Sequence, residues 1–190
     1  MKPFDFIILF LSFIYTLGLT HLLFAATQMI RRRRALVFSW PHALWMLAAL
    51  GMMFGNWLSL WDFHGLEVMP LATIFGGFLL VILQYAVCAL VAPEFESGDD
   101  VDLRRFHQRE GRTYLLAFLA IMLVALGLNA AAGTALGVRN WANQNWIVLA
   151  MLPPIVLALA VRATWAQVIA PLVMVALMVA FPLIYYPALK

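Results

Sequence analysis

From Phe6 to Ile30 the chain carries no Asp, Glu, Lys or Arg, and the run ends in Arg31, Arg32, Arg33 and Arg34. A helix rises about 1.5 Å per residue and the hydrocarbon core of a bilayer is about 30 Å thick, so about 20 such residues cross it. This long uncharged run, closed by four arginines, constrains the chain to a membrane more strongly than any motif in it. The rest of the sequence agrees: 65% of the residues are hydrophobic and 11% charged, where a soluble domain runs nearer half and a quarter. Disordered chains, nucleic-acid modules, disulfide scaffolds and ordinary soluble enzymes are disfavoured on that ground. The lone Cys88 lies in an apolar run and cannot form an intramolecular disulfide.

Six apolar spans follow one another, at about 6–30, 41–61, 69–92, 113–136, 146–161 and 163–186. All six are read as helices, because an unclosed sheet would leave backbone groups unpaired in hydrocarbon. Pro93 and the acidic stretch from Glu94 to Asp102 stop the third. The fifth is the shortest and contains Pro153 and Pro154, and the sixth carries Pro171 and Pro182. The expected fold is therefore all-α: a polytopic membrane protein forming one membrane domain over 1–190, with the fifth and sixth helices broken by proline. Lys2 is the only basic residue before the first run, and the strong basic cluster follows that run, so the segment reads as a crossing and not as a cleaved signal.

Lys and Arg set the orientation. With the amino terminus outside, Arg31 to Arg34, Arg104, Arg105, Arg109, Arg112 and Arg162 lie inside, against Lys2, Arg139 and Lys190 outside. That asymmetry places both termini outside and the arginine loops in the cytoplasm. Trp57, Trp61, Trp141 and Trp146 near the outer surface, and Trp40, Trp45 and Trp165 near the inner one, fit the aromatic belts of a spanning protein. Arg31, Arg32, Arg33 and Arg34, with Arg104 and Arg105, are candidates for contact with anionic lipid headgroups or with a membrane or cytoplasmic protein partner. The segment 97–112 is acidic in its first half and basic in its second. It predicts an amphipathic helix capped by Ser97, supported by an Asp100 to Arg104 pair, continuing into the fourth span with Leu103 and Phe106 toward the membrane.

Polar residues inside the spans mark the faces that avoid lipid. On the first helix Ser12, Thr16, Thr20 and Thr27 share an arc, with His21 and Gln28 beside it, so this helix is expected at the centre of the bundle. On the second, His42, Ala49 and Asn56 repeat every seven residues beside Trp45, and Gly51 and Gly55 permit close helix approach. The third brings Gln84 and Cys88 onto one arc with Thr73 and Gly77, and Gly133 and Gly137 form a second small-residue pair. Thr20, His21, Gln28, His42, Trp45, Asn56 and Gln84 are the candidate polar pocket.

No charged residue falls near the middle of a span, which weakens an ion-coupled carrier. His21 and His42 raise the possibility of b-type haem, but they lie at different depths, and hydrogen bonding to Thr, Gln, Asn or Trp within the bundle is the better account of them. Asp62, His64 and Glu67 could approach a metal but lack a fourth ligand, so a solvated turn is the simpler reading. No nucleophile–base signature, phosphate-binding glycine loop or HExxH is present, so no catalytic residue, metal site or cofactor is assigned and an enzyme is not expected.

The stretch LSFIYTLGLTHLL, the four arginines and WPHALWML together resemble the start of a group of small bacterial inner-membrane proteins. Those proteins combine a glycine-leucine-threonine-histidine helix, a basic turn and a tryptophan-histidine-tryptophan helix. The resemblance covers residues 11–61, brings no activity with it, and implies a shared cluster of Thr20, His21, His42 and Trp45. Three functions stay open: an oligomeric channel or uncoupled carrier for an ion or small solute, a non-transporting sensor or assembly partner working through its arginine loops, and haem electron transfer. A nucleic-acid partner is not expected.

Overall fold

The computed structural model describes residues 3–64, 70–95, 101–135 and 140–187. The uncharged first run forms α1, Pro3–Arg31, which ends where the arginines begin. After a short strand, β1 (Leu36–Val37), the chain enters α2, Trp40–Ser59, with Pro41 in its first turn, where a missing N–H costs nothing. A 3-10 turn, Leu60–Phe63, follows it. Then come α3 (Leu71–Val91), the strand β2 (Val101–Asp102) and the long α4 (Leu103–Ala135). Three short helices, α5 (Trp141–Gln144), α6 (Trp146–Ala150) and α7 (Leu152–Ala160), lead to α8, Thr164–Tyr185.

Among the described residues the fold is all-α apart from the two-residue strands, and five helices are long and apolar enough to cross a membrane: Phe4–Arg31, Trp40–Phe63, Leu71–Val91, Leu103–Ala131 and Thr164–Tyr185. The remaining apolar stretch, Trp146–Ala160, is shorter and is interrupted at Met151. Pro153 and Pro154 explain the interruption. They fall in the first turn of α7, where N–H groups have no partner within the helix, so the break sits just before them. The same logic fails for α8. Pro171 and Pro182 lie inside a helix that runs unbroken, each removing one backbone bond that a membrane helix tolerates.

Helix α2 is the hub, packing against α8, α3, α4 and α1. It runs side by side with α8, and glycine sets the distance. A Cβ at Gly51 would stand 2.9 Å from the Cβ of Met178, and one at Gly55 would stand 3.2 Å from the Phe181 ring. On the opposite side α3 packs against α1 and α4, and α7 closes the circle between α4 and α8. The core fills the middle with Trp45, Ala48, Ala49, Met52, Val81, Val87, Tyr114, Phe118, Ile121, Ile155 and Met174, all at most 1% exposed.

Helix α1 is not central. Leu11, Tyr15, Leu22 and Ala25 pack inward, while Thr16, Thr20, His21 and Thr27 join Phe6, Phe13 and Phe24 on the exposed side. The reason is local. Ser12, Thr16, Thr20 and Thr27 each donate to the carbonyl four residues earlier, at 2.7, 2.8, 2.7 and 2.7 Å, so the hydroxyl row is satisfied within the helix and needs no second one.

The segment leading into α4 also departs from expectation. Asp102 caps the helix, its Oδ1 accepting from the backbone N–H of Arg104 at 2.9 Å and of Arg105 at 3.1 Å, and its charge suits the positive end of the helix dipole. Ser97 and Asp100, expected to cap and to pair, lie outside the described residues, as does Gly137 of the second glycine pair. Leu103 is fully buried and Phe106 packs edge-on against His42, so both face the bundle and not the membrane.

Replacing Gly51 by Ala therefore drives the new methyl against Cβ and Cγ of Met178 on α8 and should lower stability by about 1–3 kcal/mol, the usual penalty of overpacking. Gly77→Ala has nothing within 4 Å of the new methyl and should be neutral or stabilise by up to about 1 kcal/mol. Thermal unfolding of both variants in one detergent measures the difference.

Candidate functional site

The seven candidate pocket residues do not meet in one cavity. They divide into three groups, each set by the helix its side chain faces.

The first group is a polar pair in the core. Asn56 of α2 donates from Nδ2 to Oε1 of Gln84 on α3 at 2.9 Å. Gln84 is 1% exposed and turns its own Nε2 toward the Ala49 carbonyl at 3.4 Å and the Cys88 sulfur at 3.5 Å. The Gln84 oxygen, costly to bury unpaired, is thus satisfied from α2, and the bond links α2 to α3.

The second group gathers where α2 begins. His42 and Trp45, one turn apart, are both fully buried and look onto α4. The His42 ring stands edge-on to Phe106 and Tyr114, with centroids 5.1 and 6.1 Å away, and Trp45 leans on Tyr114 and Phe118 at 6.5 and 5.2 Å. Among the described residues neither His42 nitrogen nor Trp45 Nε1 has a hydrogen-bond partner, and aromatic packing surrounds these three polar atoms.

Beside them lies a hydrogen-bond chain that sequence reasoning missed. Gln167, in the first turn of α8, donates from Nε2 to the carbonyls of Ala158 at 2.8 Å and Val161 at 2.7 Å, satisfying the end of α7. That fixes its amide so that Oε1 faces His107 Nε2 at 3.0 Å. An amide oxygen only accepts, so Nε2 of His107 carries the proton, and in the neutral ring Nδ1 accepts from the Tyr114 hydroxyl. One histidine thereby joins α4 to the α7–α8 turn. The available signal was Gln167 standing just after a helix break, with a histidine on another polar–apolar boundary.

The third group belongs to α1. His21 Nε2 meets the Tyr85 hydroxyl of α3 at 3.2 Å, and its ring stands edge-on to that tyrosine with centroids 5.5 Å apart. Thr20 is exposed and Gln28 half-buried. His21 thus faces α3 while His42 faces α4, an arrangement that gives no support to a haem held between them.

The two arginine groups are brought together. β1 pairs in parallel with β2, Leu36 opposite Val101 and Val37 opposite Asp102, which sets the turn carrying Arg31 to Arg34 beside the first turn of α4, with Arg104 and Arg105. The Arg32 guanidinium lies 5.8 Å from the centre of the Phe95 ring, tying the turn to the end of α3 as well. Arg31, Arg33, Arg34, Arg104 and Arg105 are exposed.

At the opposite end, Asp62 accepts from the Tyr186 hydroxyl at 2.8 Å. Burial, aided by the neighbouring carboxylate, pushes that hydroxyl above the ordinary phenol value, so it stays a donor. His64 stacks on Trp61 and bonds to its carbonyl at 2.6 Å, while Glu67 lies outside the described residues. Among the described residues no three His, Cys, Asp or Glu side chains converge as metal ligands. Comparison with family models, curated proteins and solved structures finds no match for this chain.

Because Asn56 donates to the buried Oε1 of Gln84, Asn56→Leu alone takes that donor away and should cost about 1–3 kcal/mol. The double replacement with Gln84→Leu should cost less than the two single changes summed, and a double-mutant cycle in detergent reads the coupling. His42→Phe swaps two unpartnered nitrogens for carbon inside an aromatic shell and should leave the melting temperature equal or higher.

Proposed function

We propose that the chain crosses a bacterial inner membrane six times, with both termini outside and α6–α7 supplying the fifth crossing. On this reading it works as a non-transporting, non-enzymatic sensor or assembly partner whose working surface is its arginine-rich cytoplasmic face. The observation that carries the reading is the union of the two arginine groups by the β1–β2 pair and the Asp102 cap. A turn and a helix start that are far apart in sequence make one basic surface, suited to anionic headgroups and to an acidic segment of a partner. Several polar residues inside the bundle are meanwhile taken up by one another, Asn56 by Gln84 and His107 by Tyr114 and Gln167, while His42 and Trp45 sit in an aromatic shell. Helix α4 runs from Arg104 and Arg105 through the core, and His107 ties it to the α7–α8 turn, so a shift at the basic face is carried into the bundle by a rigid element.

A second reading, an oligomeric channel or uncoupled carrier, has one observation in its favour. Thr16, Thr20, His21 and Thr27 are exposed on α1, where copies arranged around a common axis would bring them to a shared path.

Two measurements separate the readings. Reconstituted protein should pass no ion or small solute across a broad panel, and flux would favour the channel. Capture of a specific membrane or cytoplasmic partner should be lost on replacing Arg104 and Arg105 by Glu with the melting temperature unchanged. Capture that survives this change counts against the basic face as the working surface.

A further inference from the structure

One groove in the protein is not explained by any of these readings. α1 and α8 stand on either side of α2 and leave between them an open trough of about 760 Å³. Its floor is α2 from Leu47 to Trp57, with Gly51 and Phe54 between them. Thr16 of α1 stands on one wall and Val179 of α8 on the other. On its α1 wall the Ser12 and Thr16 hydroxyls are already bonded to their own helix and Tyr15 is buried, so the trough offers a mainly apolar surface.

Depth and charge identify what fits it. Ten residues separate Leu47 from Trp57, about 15 Å along the helix, which is half of a hydrocarbon core of about 30 Å. The trough is therefore one leaflet deep, on the amino-terminal side of the bundle. A crossing helix from a second copy would need a groove through both leaflets, whereas one acyl chain needs only this one. The rim is acidic. Asp62 lies five residues beyond Trp57 and is bonded to Tyr186, which lies three beyond Leu183 of the α8 wall. Asp62 accepts from Tyr186 through Oδ2, and a carboxylate has a second oxygen with which to receive a cation.

We infer that this trough is a binding site for a phospholipid with an ammonium headgroup, phosphatidylethanolamine being the simplest, whose acyl chain lies against α2 while its headgroup meets Asp62. The site is independent of the basic face at the other end and stands whether or not the sensor reading holds.

Native mass spectrometry of the full chain, delipidated in detergent and then supplied with phosphatidylethanolamine or with phosphatidylglycerol of the same acyl chains, tests it. One phosphatidylethanolamine should be retained in preference to phosphatidylglycerol. Asp62→Asn should cut that preference by about 1.4- to 5-fold, the range of an exposed ion pair. Val179→Trp, at a position 56% exposed on the groove wall, should remove retention of either lipid without touching the core. Leu183→Trp serves if that variant does not fold. Equal retention of the two lipids by the unaltered protein, or retention that survives the groove-filling variants, overturns the site as mere annular lipid. Efficient disulfide cross-linking between copies carrying Val179→Cys assigns the groove to a second copy and overturns it equally.

Discussion

Gly51 and Gly55 bring the backbone of α2 against Met178 and Phe181 of α8, and the positions of the other helices follow from that contact. In lipid no hydrophobic effect presses helices together, because the tails around them are as apolar as leucine, so close van der Waals approach must do the holding. With α2 seated on α8, its remaining faces turn Trp45 and His42 toward α4 and Asn56 toward α3. The flank between α1 and α8 stays open, and that flank is the acyl-sized trough.

The polar side chains divide according to the distance over which each can find a partner. A serine or threonine hydroxyl reaches the carbonyl one turn back on its own helix, so the row on α1 imposes nothing on the fold. Amides and imidazoles are too long for that and must look across to another helix. Asn56 finds Gln84, His107 finds Gln167, and each such bond joins two helices at one depth. His42 and Trp45 keep three polar atoms without partners inside an aromatic shell, at a cost that packing against Phe106, Tyr114 and Phe118 offsets. The two ends of the bundle therefore differ in kind. One carries a basic face assembled from distant parts of the chain, and the other an acidic rim around a groove.

Much of this was legible in the sequence. The spans ending at Arg31 and Val91 fell within a few residues of their expected limits, because arginine, proline and acidic residues stop an apolar helix wherever it sits. Gly51 and Gly55 were readable as a contact, since the absence of a Cβ admits the side chains of a neighbouring helix so closely. The place of α1 was not readable: a stripe of threonines has the same periodicity whether it lines a bundle or faces outward. Nor was the effect of proline, which interrupts the chain before α7 but not within α8, because the outcome depends on where each ring falls relative to the first turn.

The sequence by itself determined the solvent of this protein, its helical class and the limits of most of its helices. Hydrocarbon demands internal backbone bonds and about 20 apolar residues at a time, and both are local properties of a chain. The tertiary structure alone decided which polar residues meet. That Asn56 would find Gln84, that His21 would turn to Tyr85 and His42 to Phe106, and that Arg31 to Arg34 would come beside Arg104 and Arg105 depend on helix rotation and neighbour order. A periodic pattern gives the angle of a side chain about its own axis and leaves open what stands on the other side of it.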